Sequence, residues 1–320
     1  MKNKRIVITG GAGFIGSHTI KALLDRGDEV VSIDDYNDYY TPNLKRDRIS
    51  KFLGNYTFPA LDLDIRNYKD LQKLFAEYKF DKVCHLAARA GVRASLEDPF
   101  VYEETNIKGT LNLLELSRQH GIKNFVFASS SSVYGNTDKI PFSEEDRVDH
   151  PISPYAATKK ATELLAYTYH HLYGLKCTGL RFFTVYGPWG RPDMAYFNFA
   201  KKILAGETID VYNYGKDLKR DFTYVDDIVK GVLACLDKNY DYEIFNLGNN
   251  QPVELGEFIS TLEKHLGQEA NKNLLPMQPG DVMITYANID KAQKFLGYEP
   301  NISIDDGLKN FVEWYQNYYA

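Results

Sequence analysis

The chain has 320 residues, 44% of them hydrophobic and 25% charged, with a formal net charge of −5. That balance describes a globular chain with enough apolar material for two lobes, and the acidic excess argues against a nucleic-acid partner, which calls for a basic stripe. No apolar run approaches the roughly 20 residues that cross a bilayer, so no membrane partner is expected.

Met1-Lys2-Asn3-Lys4 leads straight into a strand-like run, so no secretory leader is expected. Cys84, Cys177 and Cys235 are odd in number and far apart, without a C-x-x-C pair. They read as reduced, buried thiols of a cytoplasmic protein, and no metal site is expected.

Arg5-Ile6-Val7-Ile8 reads as a buried strand, and Ile20, Leu23 and Leu24 then recur at helical spacing. Between them lies Thr9-Gly10-Gly11-Ala12-Gly13-Phe14-Ile15-Gly16. Glycines at this junction let the backbone approach a phosphate, and the helix behind them presents free N–H groups and the positive end of its dipole. A carboxylate about 20 residues further on completes a dinucleotide fingerprint. Asp34 supplies it, at the end of the apolar run Val30-Val31-Ser32-Ile33. An acid there accepts hydrogen bonds from an adenosine ribose and repels a 2′-phosphate. Asp35 follows, no arginine comes in the next several positions, and NAD is therefore the expected cofactor.

The tyrosine-rich segment 36–48 reads as a loop and helix over that cofactor. Residues 56–61 predict a third strand ending at Asp62-Leu63-Asp64-Ile65-Arg66, and Leu71, Leu74 and Phe75 mark a helix. Residues 82–86 predict a fourth strand running into Ala87 and Ala88. A long helix is expected after Asp98-Pro99, burying Ile107, Leu111, Leu114 and Leu116. Phe125-Val126-Phe127-Ala128 is a fifth strand, followed by Ser129 to Ser132. This alternation predicts an α/β fold, a Rossmann-type doubly wound parallel sheet with ligands beyond the carboxyl ends of its strands.

The regularity fades beyond a strand at 178–183. The division expected is 1–180 for the NAD-binding domain and 181–320 for a smaller α/β substrate lobe, with segments near 224–248 returning to the first. A last helix after Ser303 should bury Leu308, Phe311, Val312 and Tyr315.

Tyr155 and Lys159 are four apart, behind Ser153-Pro154, and Ala161, Leu164 and Leu165 continue a helix that puts both on one face. An ammonium near a phenol favours the phenolate, a base able to take a proton from an alcohol near neutral pH. Tyr212 and Lys216 share the spacing, but in a glycine-containing turn. The serines at the end of the fifth strand admit two readings. A hydroxyl there can share a hydrogen bond with a substrate oxygen and Tyr155, or the four can simply bond to backbone.

Along its whole length the chain resembles the extended short-chain dehydrogenase/reductase family. The resemblance rests on the glycine-rich string, Asp34, Asp64-Ile65-Arg66, His85-Leu86-Ala87-Ala88, Asn106, residues 129–135 and the Tyr155–Lys159 pair. Longer strings, at 85–93, 181–194, 209–215, 220–227 and 278–281, resemble its NAD-dependent sugar-nucleotide epimerases, most of all those acting on UDP-glucuronate. Arg89 departs from the glutamine of close relatives and shifts the charge of the pocket nearby.

The resemblance implies a homodimer, paired through helices near 100–118 and 154–173, with tightly bound NAD and a UDP-sugar substrate. It assigns cofactor contacts to Gly10, Gly13, Phe14, Ile15, Gly16, Asp34, Asp64, Ile65, Leu86, Ala87, Ala88, Asn106, Tyr155 and Lys159. Catalysis falls to Tyr155 as base, Ser130 and Lys159. Arg93, Ser131, Ser132, Thr184, Arg191, Arg220, Gln278 and Asp281 are the substrate candidates. Sugar-nucleotide 4,6-dehydratases and UDP-glucuronate decarboxylases carry an acid after the fifth strand where this chain has Ser132, which argues against both. Three alternatives stay open: a neutral or N-acetylated hexose as substrate, a simple alcohol dehydrogenase, and a non-catalytic NAD-binding protein.

Overall fold

The computed structural model describes residues 4–277 and 283–319. The strands are β1 (Arg5–Thr9), β2 (Glu29–Asp34), β3 (Ala60–Asp62), β4 (Lys82–His85), β5 (Asn124–Ser130), β6 (Cys177–Phe182), β7 (Thr184–Tyr186), β8 (Thr208–Tyr212), β9 (Lys219–Tyr224), β10 (Tyr242–Leu247), β11 (Pro252–Glu254), β12 (Asn271–Leu275) and β13 (Ile284–Thr285). In the first half the helices are α1 (Phe14–Asp25), α2 (Pro42–Asp47), α3 (Tyr68–Tyr78), α4 (Ala94–Glu97), α5 (Pro99–Tyr102), α6 (Gly109–Gln119) and α7 (Pro154–Tyr173). The second half adds α8 (Ala195–Leu204), α9 (Val225–Asp237), α10 (Leu255–Leu266), α11 (Asp290–Leu296) and α12 (Ile304–Tyr319).

Seven strands form one sheet in the order β10-β6-β5-β4-β1-β2-β3, and every pairing in it is parallel. Its central strands are buried on both faces because helices cover them, and Ile6, Val7, Ile8, Val83 and Phe125 to Phe127 are fully buried. Strand order reverses between β1 and β4, so a crevice opens beyond their carboxyl ends. A second layer stands over that crevice: β9 pairs with β7, β11 and β13, while β8 pairs with β12. The chain leaves the large sheet after β6 and comes back through α9 to lay β10 beside it.

Three expectations change in detail. The third strand is only Ala60–Asp62, because the segment before it reaches the sheet edge at Pro59, whose carbonyl takes the Ser32 N–H at 2.8 Å. The helix after Pro99 is continuous to Gln119 but passes through a π-helical stretch, Glu103–Lys108. The wider turns rotate the rest of the helix, so Leu113, Leu114 and Leu116 are buried while Leu111 is 39% exposed and Ile107 only half-buried. The fifth strand absorbs Ser129 and Ser130. The last helix, α12, buries Leu308, Phe311, Val312 and Tyr315 on one face.

Candidate active site

The turn after β1 is built as tightly as its glycines allow. Gly10 has φ +71°, and a Cβ on it would lie 2.7 Å from the Ala87 nitrogen; one on Gly16 would lie 2.1 Å from the Gly10 carbonyl oxygen. Only glycine fits at either place. Behind the turn, His85 lies between two hydroxyls, with Nδ1 2.7 Å from Thr9 Oγ1 and Nε2 2.9 Å from Thr110 Oγ1. Burial pushes its pKa down to about 3, and the Lys159 charge adds to the effect, so the imidazole is neutral at working pH.

Beyond this turn lies a cleft of about 1130 Å³, lined by the large sheet on one side and the second layer on the other. Single drug-sized pockets occupy roughly 300–1,000 Å³, so the space suits a dinucleotide and a second ligand together.

Gly10, Gly13, Phe14, Ile15, Gly16, Asp34, Asp64, Ile65, Leu86, Ala87 and Ala88 all line it. Asp34 accepts the Ala12 N–H at 3.1 Å and the Tyr36 N–H at 3.0 Å, with the Lys45 ammonium 3.9 Å away. Burial raises its pKa, and Lys45 draws it back. Asp64 receives Arg66 Nε at 2.8 Å and Nη2 at 2.6 Å; burial works to raise its pKa, but the guanidinium holds it below the ordinary value.

Asn106 is placed differently. It is 1% exposed, takes the Arg89 N–H at 2.8 Å, and donates to the Arg89 carbonyl at 3.0 Å and Thr158 Oγ1 at 3.0 Å. Its work is to clamp the cleft wall from behind. Arg89 points its Nη1 to Asn37 Oδ1 at 3.2 Å, and its Nε is buried without a partner. The charge this residue adds therefore belongs to the dinucleotide half. The glycine cradle, the Asp34 carboxylate and this unused donor fit the ribose-phosphate chain of NAD.

Ser153 Oγ accepts the Ala156 N–H at 3.1 Å and Pro154 opens the first turn, so the start of α7 is held and Tyr155 and Lys159 both face the cleft. Burial raises the Tyr155 pKa, while a hydrogen bond with Ser130 and the charge of Arg191 lower it. Lys159 donates to the Ala128 carbonyl at 2.9 Å, and burial brings its own pKa down to about 8.

Within the serine tract Ser129 stands apart, its hydroxyl bonded to a side chain rather than to backbone. Ser129 donates to Glu163 Oε1 at 2.6 Å, and Arg181 forks onto the same carboxylate with two contacts of 2.9 Å. Ser130, Ser131 and Ser132 line the cleft, and Ser130 Oγ accepts from the Ser132 hydroxyl at 3.0 Å.

Thr184, Arg191, Arg93 and Arg220 line the far half. Arg220 donates to the Lys219 carbonyl at 2.9 Å and the Met283 carbonyl at 3.2 Å. Gln278 and Asp281 lie outside the described residues. Sequence reasoning passed over three members of this region. Asp193 pairs with Arg191, Tyr39 donates to Asp193 at 3.3 Å, and Arg48, fully buried, donates to the carbonyls of Ala12, Trp189 and Gly190. Opposite charges two apart in Arg191-Pro192-Asp193 were the available signal for the first.

Comparison with known proteins agrees with this geometry. A family model described as GDP-mannose 4,6 dehydratase matches residues 7–311. UDP-glucuronate 4-epimerase 1 of Arabidopsis thaliana is 50% identical over 98% of this chain and 77% of its own. The crystal structure of UDP-glucuronic acid 4-epimerase from Bacillus cereus, in complex with UDP-glucuronic acid and NAD, superposes with a TM-score of 0.91 at 38% identity, covering 98% of this chain and 100% of that one. UDP-glucose 4-epimerase from Thermotoga maritima, solved with UDP-glucose, gives 0.89 at 32% identity, covering 99% and 100%. The chain belongs to the extended short-chain dehydrogenase/reductase family, within the group that the GDP-mannose 4,6 dehydratase model describes.

Proposed function

We propose that this protein is a NAD-dependent 4-epimerase that interconverts UDP-glucuronate and UDP-galacturonate. The observation that carries the reading is Tyr155 in a cleft with room for two ligands, between the glycine cradle and a far wall of Ser131, Ser132, Thr184 and Arg191. Relatives and structural neighbours named for this activity support it.

Gly10 to Gly16 would hold the pyrophosphate and Asp34 the adenosine ribose, with Asp64, Ile65 and residues 86–88 as walls. Bound NAD supplies a reversible hydride acceptor at C4, so the reaction has no net redox partner. Tyr155 removes the proton of the 4-hydroxyl, Ser130 orients that oxygen, and Lys159 holds the nicotinamide ribose. The 4-keto sugar turns about its diphosphate link, and Tyr155 returns the proton once the other face is presented. Arg220, with Gln278 and Asp281, is assigned to the uridine diphosphate, and Arg93 to a phosphate or the carboxylate.

A 4-keto sugar with a carboxylate on C5 is a β-keto acid and readily loses carbon dioxide. Ser131, Ser132, Thr184 and Arg191 would hold that carboxylate in a plane that disfavours cleavage. The protein is assigned to the cytoplasm as a homodimer. Three buried free thiols and exposed apolar residues on α6 and α7 support that assignment. Its product is an activated sugar, which a glycosyltransferase of polysaccharide synthesis would consume.

The test is proton NMR of UDP-glucuronate mixed with purified protein and no added cofactor. UDP-galacturonate should grow to a fixed ratio. A pentose product would replace this reading with decarboxylation, and accumulating NADH with alcohol dehydrogenation.

A further inference from the structure

Arg191, assigned above to the sugar carboxylate, already grips one. Its Nε lies 3.0 Å from Asp193 Oδ1 and its Nη2 2.5 Å from Oδ2, which closes the side-on fork of the guanidinium. Tyr39 completes the group. Its ring lies 5.8 Å from the guanidinium carbon and its hydroxyl donates to Asp193 Oδ2 at 3.3 Å. The tyrosine can lie there because residue 91 is glycine; a Cβ at that place would come within 2.4 Å of the hydroxyl. All three residues line the same cleft.

A guanidinium offers two forks, the side-on Nε–Nη2 pair and the end-on Nη1–Nη2 pair, and Asp193 holds the first. A sugar carboxylate takes that fork only by exchanging with Asp193, which gains little in free energy because one carboxylate replaces another, and at the end-on pair it meets a cation whose charge Asp193 already balances. The Asp193 side chain is 30% exposed and has water to turn into. An uncharged hexose asks for no exchange and meets a wall whose charges are already balanced.

We propose that Asp193 is a specificity-determining residue, an internal carboxylate that occupies the side-on fork of Arg191, balances its charge, and so narrows the preference of this cleft for uronic-acid over neutral UDP-sugars. The proposal rests on the reading of the site as a UDP-sugar pocket with Arg191 facing C5. Asp193 acts through Arg191 and is not a catalytic residue. The Arg191 charge also lowers the Tyr155 pKa, so the same pairing mutes a cation that favours the phenolate.

The experiment is calorimetric binding of UDP-glucuronate and of UDP-glucose to NAD-loaded wild type, Asp193→Asn and the double variant Asp193→Asn with Arg191→Gln. Melting of each loaded variant checks that it is folded. With Asn at 193 the ratio of the two dissociation constants should move toward UDP-glucuronate by about tenfold, equivalent to 1.4 kcal/mol. The double variant should lose that gain. An unchanged ratio, or equal weakening of both ligands, would overturn the proposal and leave Asp193 as a brace for its loop. Because the readout is binding, it stands apart from turnover: an inactive wild type with a shifted ratio would remove the epimerase reading and keep this one.

Discussion

Tyr155 carries the proposed chemistry, and its surroundings state what that requires. Burial alone holds the phenol protonated; Ser130 and Arg191 bring it back toward ionisation. The Tyr155→Phe variant should keep bound NAD, since the cradle and Asp34 are untouched, and lose about 10²–10⁴-fold in turnover number, the usual span for a lost general base. Turnover within a factor of two of wild type in a single-turnover assay would remove Tyr155 from the role. The pair itself was legible, because four residues on a capped helix is a local pattern. Its electrostatics were not. The spacing put Lys159 beside Tyr155, where one of its three N–H donors goes to the Ala128 carbonyl, but a further cation that lowers the Tyr155 pKa comes from Arg191 on a distant loop. Asn106 shows the same limit: its position in the chain marks it as important, but only the fold reveals that it grips backbone behind the cleft.

At the scale of elements, α7 has two faces with two tasks. One carries Tyr155 and Lys159 to the cleft; the opposite one carries Leu164, 57% exposed, and Phe100 on α5 and Leu111 on α6 are exposed on the helices packed beside it. Exposed apolar side chains on packed neighbouring helices are the material from which an interface is built. A C2 pairing would place Leu164 against the same surface of a second copy. Leu164→Glu should therefore convert a dimer into a monomer in sedimentation velocity at micromolar concentration. Wild type sedimenting as a monomer under those conditions would end the proposal. The helices were readable from their period, whereas the π-helical stretch at 103–108 was not. It shifts the buried stripe to other residues without changing composition, so Leu111 moves to the outer surface and Leu113 inside.

For the whole molecule, the alternation of strands and helices made the parallel sheet legible as far as β6, but the pairing of β10 with β6 depends on contacts far apart in sequence, which no local pattern encodes. The same long-range packing buries charge. Lys82 on β4 is 2% exposed and donates to the Leu236 carbonyl at the end of α9; burial takes its pKa down to about 8. The unfolded lysine titrates near its ordinary value of about 10.4, so between those pH values the unfolded chain binds more protons and stability rises with pH. Lys159 acts in the same direction, its pKa also about 8. Cys84, Cys177 and Cys235 oppose them. Burial raises all three thiols, so once unfolded thiols ionise, near pH 8.5, the folded state holds more protons and stability falls as pH rises further. Stability from these groups should then peak between about pH 8 and 9. Lys82→Met isolates one side of the balance. The Leu236 carbonyl keeps the Asn124 amide at 3.2 Å, so the variant leaves no acceptor stranded. It should stabilise the protein by on the order of 2 kcal/mol at pH 7 and by clearly less at pH 9.5. Denaturant unfolding at the two pH values reads the difference; an equal gain at both would mean that Lys82 is not held against its charge.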